Sequence, residues 1–378
     1  MNLFLITFFL IYGGAHLYFF IKVKGALSPG LTLPLLLALF LLVMVVSPVL
    51  VRVLEREGLE ASARVVAYAG YLWMGFLFLF LSASLVVDLY RGLVHASAFI
   101  SRRDLSSFIP SSRLALAIPI SYGILTAVYG YLEASNIKAE RLVVKSPKIP
   151  KEAGILTIVE VSDVHLGLIV RKERLERIIG VIRDASPDVM VSTGDLVDGQ
   201  INRMEGLAEL LEEVRPRFGK YAVIGNHEVY AGLGQTLAFT QRAGFRLLRG
   251  ESILVGGLIN IVGIDDPAVE RISRKPLVSE REVLEGADHK RFTILLKHRP
   301  SVDVDSTGLF DLQLSGHVHG GQIFPFNLLT HLFFPVKMGY SLYPHGSALY
   351  VSRGTGTWGP PIRFFAPPEV TVIELSHG

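Results

Sequence analysis

Two histidines, His317 and His319, stand two positions apart in the glycine-rich stretch "SGHVHGGQ" of residues 315–322. Similar groups recur earlier in the same half of the chain: "DVHLG", "GDLVDG", "GNHE" and "KHRP" precede "GHVHGG", each directly after a run typical of a β-strand. Carboxylate, amide carbonyl and neutral imidazole form a mixed oxygen and nitrogen donor set. Such a set suits manganese, iron or zinc better than magnesium or calcium.

Taken singly, each of these residues has an ordinary structural explanation. Asp163 and Asp195 each close a strand, where an aspartate usually forms a turn or caps a helix. Asn226 fits a simple turn, and an isolated His298 is more often a hydrogen-bonded structural residue than a ligand. Their joint occurrence favours a metal site, because the carboxyl ends of strands in an open α/β sheet meet at one edge, where ligands bind.

Two metal ions about 3.5–4 Å apart need an anionic bridge to offset their repulsion, and a carboxylate can supply it. The glycines around His317 and His319 allow the backbone to come close to the ions while both rings turn inward. The pattern therefore predicts a metal centre on the rim of a sheet.

The elements that position this rim follow from the pattern of residues 153–378, which alternates short β-branched runs with amphipathic stretches. Predicted strands are "ILTIVEVSD", "PDVMVSTGD", "KYAVIGN", "LINIVGI", "FTILLKH", "LQLSGHVH", "ALYVSRG" and "EVTVIEL". The stretches "RLERIIGVIRDA" and "MEGLAELLEEVRP" have helical spacing. The sequence predicts an α/β domain over 153–378, preceded by a proline-containing linker over 143–152.

The first 142 residues have a different character and predict a transmembrane region. Four runs without charged residues each have about the 20 residues that a helix needs to cross a bilayer. They cover residues 2–21, 31–51, 65–87 and 114–132. The last run contains Pro119 and two glycines, so a buried, kinked helix of a soluble domain is the alternative for it. A spanning helix tolerates Pro and Gly better, which favours the membrane.

The first run lacks the basic start and the small-residue cleavage site of a secretory signal peptide, so we expect a retained anchor. With four spans, both ends of the chain lie on one side of the membrane. The flanks on that side are predicted to carry eight Lys and Arg residues (52, 56, 64, 138, 141, 145, 148 and 151). The opposite flanks carry six (22, 24, 91, 102, 103 and 113). This bias favours a multi-pass protein of the cell membrane with a cytoplasmic C-terminal domain.

Composition excludes several other classes. The chain has no cysteine, so it has neither a disulfide framework nor a thiolate metal site. The net charge is +3, and no basic cluster interleaved with aromatic residues indicates nucleic acid. The four apolar runs make a lipid bilayer the expected partner.

The motifs resemble the calcineurin-like metallophosphoesterase superfamily, whose pattern D-x-H, G-D, G-N-H-[DE], H and G-H-x-H is matched in full between Asp163 and His319. The resemblance implies two packed mixed β-sheets flanked by helices, a four-layer αββα sandwich, here placed after the four-helix transmembrane region. It also implies two divalent metal ions, manganese first, with iron or zinc as alternatives. The implied ligands are Asp163, His165 and His319 for one ion, Asn226, His298 and His317 for the other, and Asp195 as the bridge.

The same resemblance implies a mechanism in which a metal-activated hydroxide attacks phosphorus in line with the leaving group. His227 would contact the phosphate and protonate or stabilise the leaving oxygen. Asp198 and Glu228 are expected to orient other residues or to cap helices. For Asp265 and Asp266 in "GIDDP", a turn is at least as well supported as a functional role.

Within the superfamily, "GNHEVYAG" departs from the protein phosphatases, which have Asp after the third motif's histidine. "GHVHGGQ" and the closing "LYVSRGTGTWGPPIRFFAPPEVTVIEL" are similar to a bacterial membrane-associated branch. That branch includes cell-envelope phosphoesterases and enzymes that hydrolyse a UDP-diacylglucosamine precursor of lipid A. Three arginines are candidates for phosphate or headgroup contact: Arg299, Arg353 and Arg363.

The segment "IFPFNLLTHLFFPVKMGYSLYP" either caps the sheet or forms a lip that enters the headgroup layer or holds an acyl chain. The favoured activity is therefore hydrolysis of a lipid-linked phosphate or pyrophosphate ester. A phosphodiesterase for soluble nucleotides, tethered to the membrane, is the second hypothesis. The third is a catalytically weak membrane regulator. Two observations count against it: no expected metal ligand is missing, and the predicted spans contain no Asp, Glu, Lys or Arg, the residues that usually mark an ion or proton path.

Overall fold

A computed structural model of the chain describes residues 2–27, 30–199, 204, 206–274, 276–336 and 338–378. The chain divides into two compact units. One consists of Met1–Leu132 with Gly359–Ile362, and the other of Glu133–Trp358 with Arg363–Gly378.

The first unit contains four long helices: α1 (Asn2–Leu27), α2 (Thr32–Arg56), α3 (Glu60–Ser101) and α4 (Ser112–Glu133). Within the described part of the chain, four helices are long and apolar enough to cross a membrane. Helix α4 accommodates Pro119 and leaves large apolar side chains such as Leu125 and Leu132 exposed. That exposure suits contact with lipid and not the buried helix of a soluble domain.

Helices α1 and α3 continue beyond the predicted spans, which end at residues 21 and 87. Lys22 and Asp88, immediately past those ends, form an ion pair, and the hydroxyl of Tyr18 donates to Asp88 (2.5 Å). The predicted spans stop at the first charge, whereas helical hydrogen bonding continues through charged residues with adequate helix propensity. The helices are therefore longer than their apolar runs.

The described residues of the second unit form twelve strands and six helices. The strands are β1 (Lys138–Lys145), β2 (Ile155–Val161), β3 (Val189–Ser192), β4 (Lys220–Ala222), β5 (Arg246–Leu247), β6 (Glu251–Val255), β7 (Ile259–Ile264), β8 (Phe292–Lys297), β9 (Leu312–Ser315), β10 (Gly339–Leu342), β11 (Ala348–Val351) and β12 (Glu369–Ser376). The helices are α5 (Lys172–Asp184), α6 (Leu207–Glu212), α7 (Asn226–Arg242), α8 (Pro267–Ser273), α9 (Glu280–Glu285) and α10 (Phe326–Phe333). Each of the eight predicted strands overlaps one of these strands.

The strands form two six-stranded mixed sheets. The first has the order β1-β12-β2-β3-β4-β5, in which only the β12–β2 pair is antiparallel. The second has the order β10-β11-β9-β8-β7-β6, with antiparallel pairs at both edges. Both sheets therefore have parallel centres whose carboxyl ends can gather ligands.

The two sheets pack face to face. Apolar side chains from β2 and β3 of the first sheet, such as Ile158 and Val191, share a buried core with Ile294 and Leu314 of the second. Helix α5 covers the other face of the first sheet with side chains at helical spacing: Leu175, Ile178, Ile179 and Ile182. Helix α9 covers the outer face of the second sheet through Leu284. The four-layer αββα arrangement is thus confirmed.

The prediction of a linker over residues 143–152 needs correction. Its first three residues belong to β1, an edge strand that pairs in parallel with β12, Val143 opposite Glu374 and Val144 opposite Leu375. The prolines that suggested a linker, Pro147 and Pro150, come only after this strand ends. The composition of a short edge strand differs too little from that of a linker for the sequence to separate them.

Candidate active site

The predicted ligands follow the carboxyl ends of strands that are neighbours in the two sheets. Asp163 and Asp195 come shortly after β2 and β3, and Asn226 opens α7 after β4. His298 directly follows β8, and His317 follows β9. The structure brings all seven predicted ligands into one largely buried cluster, with His165 and His319 completing it.

Asp163, His165 and His319 form one group at this rim. The Nε2 atoms of the two histidines lie 3.0 Å apart, and Asp163 Oδ1 is 3.4 Å from His319 Nε2 and 4.0 Å from His165 Nε2. All three side chains are buried. Two nitrogens bound to one ion at roughly 2.0–2.1 Å stand roughly 3 Å apart, so this spacing fits a shared cation.

The second group consists of Asn226, His298 and His317. His298 Nε2 lies 3.2 Å from Asn226 Oδ1 and 3.2 Å from His317 Nδ1. The other ring nitrogen of His298, Nδ1, is 2.9 Å from the carbonyl of Thr193. If Nδ1 carries the proton and donates to that carbonyl, the lone pair on Nε2 faces the group, which is the usual arrangement for a metal-ligating histidine.

Asp195 lies between the two groups. Its Oδ2 is 3.1 Å from His298 Nε2 and 3.9 Å from His165 Nε2. Burial would raise the pKa of this carboxyl, but the charges of His298 and His227 outweigh burial and hold the pKa well below its usual range. An ionised carboxylate shared by two nitrogen-rich groups is the arrangement that a pair of cations requires.

The protonation states also fit metal ligation. Burial lowers the pKa of His165 to about 4 and that of His317 to about 3, so both rings are neutral at pH 7. His298 differs, because the Asp195 carboxylate outweighs burial and raises its pKa to about 10. A cation at this position would compete with that proton, so binding would release it. With two carboxylates, one amide and four imidazoles, the donor set fits two divalent ions.

The backbone that carries these predicted ligands is unusual. Five of them have φ in the left-handed region: Asp163 (52°), His165 (53°), Asp195 (52°), His317 (72°) and His319 (50°). Left-handed backbone is uncommon for residues other than glycine and is typical of functional sites, where the surrounding fold maintains the strain.

Two glycines make room for the carboxylates. A Cβ on Gly316 would lie 1.8 Å from Ser162 Oγ and 2.1 Å from Asp163 Oδ2, and one on Gly225 would lie 2.2 Å from Asp195 Oδ1. Beside Gly316, the backbone N–H of His317 donates to Asp163 Oδ2 (2.9 Å). In this structure, then, the glycines permit close approach of carboxylates to the backbone.

His227 adjoins both groups, and one of its ring nitrogens lies within 4.8 Å of donor atoms of His165 and Asp195. Its Nδ1 lies 3.0 Å from Asp198 Oδ1, and its backbone N–H donates to Asp195 Oδ1 (2.8 Å). Burial would lower the pKa of His227, but the charge of Asp195 and the hydrogen bond to Asp198 raise it to about 9. The ring can therefore carry a proton at neutral pH, as a general acid must.

Glu228 holds the backbone around the bridge position. Its carboxylate accepts hydrogen bonds from the N–H groups of Asp195 (2.9 Å), Val197 (3.2 Å) and Gly225 (2.8 Å). This buried carboxylate therefore fixes the turn that presents Asp195.

The environment of Arg363 corrects the expectation that it contacts a phosphate. The side chain is fully buried, and its guanidinium donates to the backbone carbonyls of His319, Arg353, Gly354, Gly356 and Ala366. Its Nη2 also lies 3.2 Å from His319 Nδ1. Burial lowers the pKa of Arg363 to about 9, which leaves it charged at neutral pH. Its donors serve the protein and not a ligand.

The other two arginines are engaged by carboxylates. Arg353 pairs with Glu140 (2.7 Å) and Glu369 (2.5 Å). Arg299 makes two hydrogen bonds to Asp266, 2.6 and 3.0 Å long, while Asp266 also caps α8 by accepting from Ala268 N (2.8 Å). The charge of Arg299 acts on both His317 and Asp195, so its guanidinium is near the second group.

Three residues near the site escaped the sequence reasoning. The Gln322 side chain makes two hydrogen bonds to the backbone of Trp358: its amide nitrogen donates to Trp358 O (2.8 Å), and Trp358 N donates to its carbonyl oxygen (2.9 Å). The rings of Trp358 and Tyr230 approach that of His227, with centroids 6.0 and 5.6 Å away. The available sequence signals were the glutamine that ends "GHVHGGQ" and an isolated tryptophan among glycines.

The Phe-rich segment forms α10, a helix with no buried residue. Leu332 and Phe333 are 76% and 78% exposed. Just after the helix, the ring of Phe334 meets His317 edge-to-face at 5.4 Å. Residues beyond α10, such as Val336, pack against the second sheet, so the segment covers the sheet with one part and exposes an apolar helix with another.

Comparison with known proteins places these features in context. The family profile described as calcineurin-like phosphoesterase matches residues 156–321. An uncharacterized metallophosphoesterase of Aquifex aeolicus is 39% identical over 253 residues, 67% of this chain and 97% of that protein. One of Bacillus subtilis is 34% identical over 278 residues, 68% of this chain and 93% of that protein. A transmembrane protein with a metallophosphoesterase domain from Danio rerio is 32% identical over 264 residues, 66% of this chain and 60% of that protein.

Among solved structures, a 5'-nucleotidase precursor from Thermus thermophilus matches with a TM-score of 0.35 and 16% identity, over 59% of this chain and 54% of that one. The NAD nucleotidase of Haemophilus influenzae matches with a TM-score of 0.36 and 15% identity, over 54% and 46%. The chain spans about half the length of each of these solved chains.

Proposed function

The chain belongs to the calcineurin-like phosphoesterase family of metal-dependent hydrolases, and from this premise we propose that its buried rim holds two divalent metal ions and that the membrane protein hydrolyses a lipid-linked phosphate or pyrophosphate ester. One observation carries the metal part of the proposal: the Asp195 carboxylate lies between two groups of buried nitrogen and oxygen donors. The proposed ligands are Asp163, His165 and His319 for one ion, Asn226, His298 and His317 for the other, and Asp195 for both. Manganese is the proposed metal because the donor set mixes nitrogen and oxygen.

When bound, the ions supply Lewis acidity, which polarises the phosphoryl oxygens and lowers the pKa of a water molecule. The protein's side chains do the rest. His227, oriented by Asp198, gives its proton to the leaving oxygen as the bond from phosphorus to that oxygen breaks and the one from the attacking water forms. Arg299, fixed in direction by Asp266, stabilises negative charge on the phosphate.

Replacing Asp195 by Asn tests the shared carboxylate. Asparagine keeps the shape but removes the charge that offsets two cations, so we expect turnover to fall by at least about 100-fold and bound manganese to fall below that of the wild type. The matched control is Asp184→Asn on the exposed surface of α5, which should retain both. Wild-type turnover and metal content in the Asp195 variant would rule out the two-metal account.

Helix α10 supports a lipid-linked substrate. It presents exposed leucine and phenylalanine side chains, and the residue that follows it, Phe334, touches the proposed ligand His317. An acyl chain or the edge of a bilayer that covered Leu332 and Phe333 would be stabilised by about 1.5–3 kcal/mol for each side chain fully buried. Such a surface beside a phosphoesterase site suits a substrate with an apolar tail.

The experiment offers the manganese-loaded full-length protein in lipid nanodiscs a UDP-linked diacyl sugar and, separately, bis-p-nitrophenyl phosphate. The double variant Leu332→Glu, Phe333→Glu should lose about tenfold or more in kcat/KM for the lipid substrate while keeping its rate on the soluble diester. Leu254→Glu, an exposed leucine on β6, is the control. Equal losses on both substrates would count against an apolar contact with the lipid.

A tethered phosphodiesterase acting on soluble nucleotides is the second candidate. The Aquifex aeolicus relative favours this candidate. The 253 matched residues make up nearly all of that relative, so it is shorter than the present chain by about the size of the present chain's first unit. In that case the wild type and the double variant should hydrolyse the soluble diester at comparable rates in the nanodisc assay, and neither should turn over the lipid substrate.

We further propose that the membrane is the cell membrane and that the second unit faces the cytoplasm. The support is the excess of eight over six Lys and Arg residues in the flanks on that side. A C-terminal fusion to a reporter that is active only in the cytoplasm should be active, and an active periplasmic reporter at the same position would reverse the orientation.

A further inference from the structure

Two exposed aromatic side chains lie beside the proposed general acid, and we propose that Trp358 and Tyr230 form a subsite for the leaving group that selects substrates whose leaving group carries a ring. This inference rests on the proposed function, because it concerns the group that departs with the oxygen protonated by His227.

The position of the two side chains supports the subsite. Both rings meet His227 edge-to-face, Tyr230 at 5.6 Å and Trp358 at 6.0 Å between centroids. Asp198 occupies Nδ1 of His227, which leaves Nε2 to face the leaving oxygen. A leaving group attached to that oxygen would therefore lie near the two rings that contact His227.

The exposure of the rings is unusual for their surroundings. Trp358 is 51% exposed and Tyr230 is 64% exposed, although His227, which both rings contact, is buried. Thr355 and Thr357, just before Trp358, are also buried. A large aromatic face left open next to a reacting group is typical of a ligand pocket, where aromatic walls accompany a few polar groups.

The backbone of Trp358 is held rigidly. Gln322 binds both the N–H and the carbonyl of Trp358, and Gln322 itself follows the short 3₁₀ helix His319–Gly321, its N–H donating to the carbonyl of His319 (2.9 Å). The backbone that carries the indole is thus tied to that of a proposed metal ligand, His319. A preorganised surface binds with a smaller loss of entropy than a mobile one.

The chemistry of the two side chains indicates the kind of ligand. Aromatic side chains stack on flat rings and on the C–H faces of sugars, and neither ring offers a charge that would discriminate among such groups. Tyr230 also interacts electrostatically with Arg299, the proposed phosphate contact. A ring attached directly to the scissile oxygen, or one carbon away, would reach both side chains.

The kinetic experiment uses full-length, manganese-loaded protein and two substrates, benzyl phosphate and 2-methoxyethyl phosphate, whose leaving alcohols have similar acidity. Each is offered as the monoester and as the methyl diester. We expect Trp358→Ala and Tyr230→Ala each to lower the ratio of kcat/KM for benzyl over methoxyethyl on the order of tenfold, mainly through KM. Trp358→Phe keeps a flat face and should restore most of the ratio.

The control is Tyr340→Ala, a half-exposed tyrosine on β10, which should leave the ratio unchanged. An unchanged ratio in Trp358→Ala, or an equal loss on both substrates, would overturn the subsite. The second outcome would mean that Trp358 only supports His227.

A binding measurement separates failure of the subsite from failure of the proposed function. The chain has two tryptophans, so the difference between wild type and Trp358→Phe isolates the fluorescence of Trp358. Benzylphosphonate should quench this signal saturably, and Tyr230→Ala should weaken the quenching. Quenching in a protein that hydrolyses none of the substrates would keep the subsite and refute the proposed function, whereas absence of quenching would refute the subsite.

Discussion

Arg363 provides the sharpest test of how the site is built. Its guanidinium donates to five backbone carbonyls in a place with no access to solvent. In Arg363→Met the stem is replaced by a side chain of similar length that has no donors. The carbonyls of His319 and Gly354 keep a backbone donor each, from the N–H groups of Gln322 and Glu369. The loss therefore falls mainly on the remaining three carbonyls.

The magnitude follows from the cost of unsatisfied buried groups. Each such carbonyl costs about 1–3 kcal/mol, but neighbouring losses are not additive, so we expect the second unit to lose about 3–5 kcal/mol of unfolding free energy. For a unit of this size that corresponds to a fall of about 10 °C in the unfolding midpoint. Because Arg363 also contacts the ring and carbonyl of His319, manganese affinity should fall about 10- to 100-fold.

The assay is thermal unfolding of the full-length protein in detergent, followed by near-UV circular dichroism, with a manganese titration alongside. Arg363→Lys should fall between wild type and the Met variant, because an ammonium has three donors and no planar fork. Arg281→Met, at an exposed position on α9, is the control and should unfold like wild type. A Met variant with wild-type unfolding and wild-type metal affinity, impaired only in KM, would refute this reasoning and make Arg363 a substrate contact.

Two further predictions concern the pH profile and a glycine. Because the pKa of His227 is raised to about 9, its acid form and the activity that depends on it should be present below that pH and lost as the pH rises through it. Asp198→Asn removes the hydrogen-bonding carboxylate, so the alkaline limb of the kcat profile should move about one pH unit lower. An alkaline limb that does not move would exclude His227 as the acid. Gly316→Ala places a Cβ 2.1 Å from Asp163 Oδ2, so manganese binding and turnover should both be lost. The control Gly180→Ala, in open space on α5, should stabilise the protein by about 0.5–1 kcal/mol. Normal activity of the Gly316 variant would show that the Asp163 carboxylate can move without consequence.

Much of the candidate site was predictable because each group of its residues forms a short sequence motif. Each motif follows a strand that short β-branched runs identify, and parallel strands bring their carboxyl ends to one edge. The order of the two sheets was less accessible. β1 and β5 are short or sparsely apolar strands at an edge, and their pairing depends on partners far along the chain, as with Val143 and Glu374. The resemblance to a known family supplied the two-sheet arrangement that periodicity alone does not give.

The arginines show the limit of reasoning from residue type. Arg299 and Arg363 have the same side chain, yet one is held by a carboxylate near the site and the other is enclosed by carbonyls. Which of these occurs depends on where residues 319, 353–356 and 366 converge, and that convergence is a property of the tertiary structure. The position of Trp358 beside His227 is also a property of the tertiary structure, because its backbone is hydrogen-bonded to the side chain of Gln322, 36 positions earlier.

The sequence by itself determined the donor atoms of the candidate metal centre, the strands that present them and the four apolar helices, since each depends on residue type and short-range spacing. The tertiary structure alone decided which polar groups can contact a substrate and which are already hydrogen-bonded to the residues that carry the predicted metal ligands. The physical reason is that a donor's capacity is set by its sequence, whereas its availability depends on burial and on partners brought together by folding.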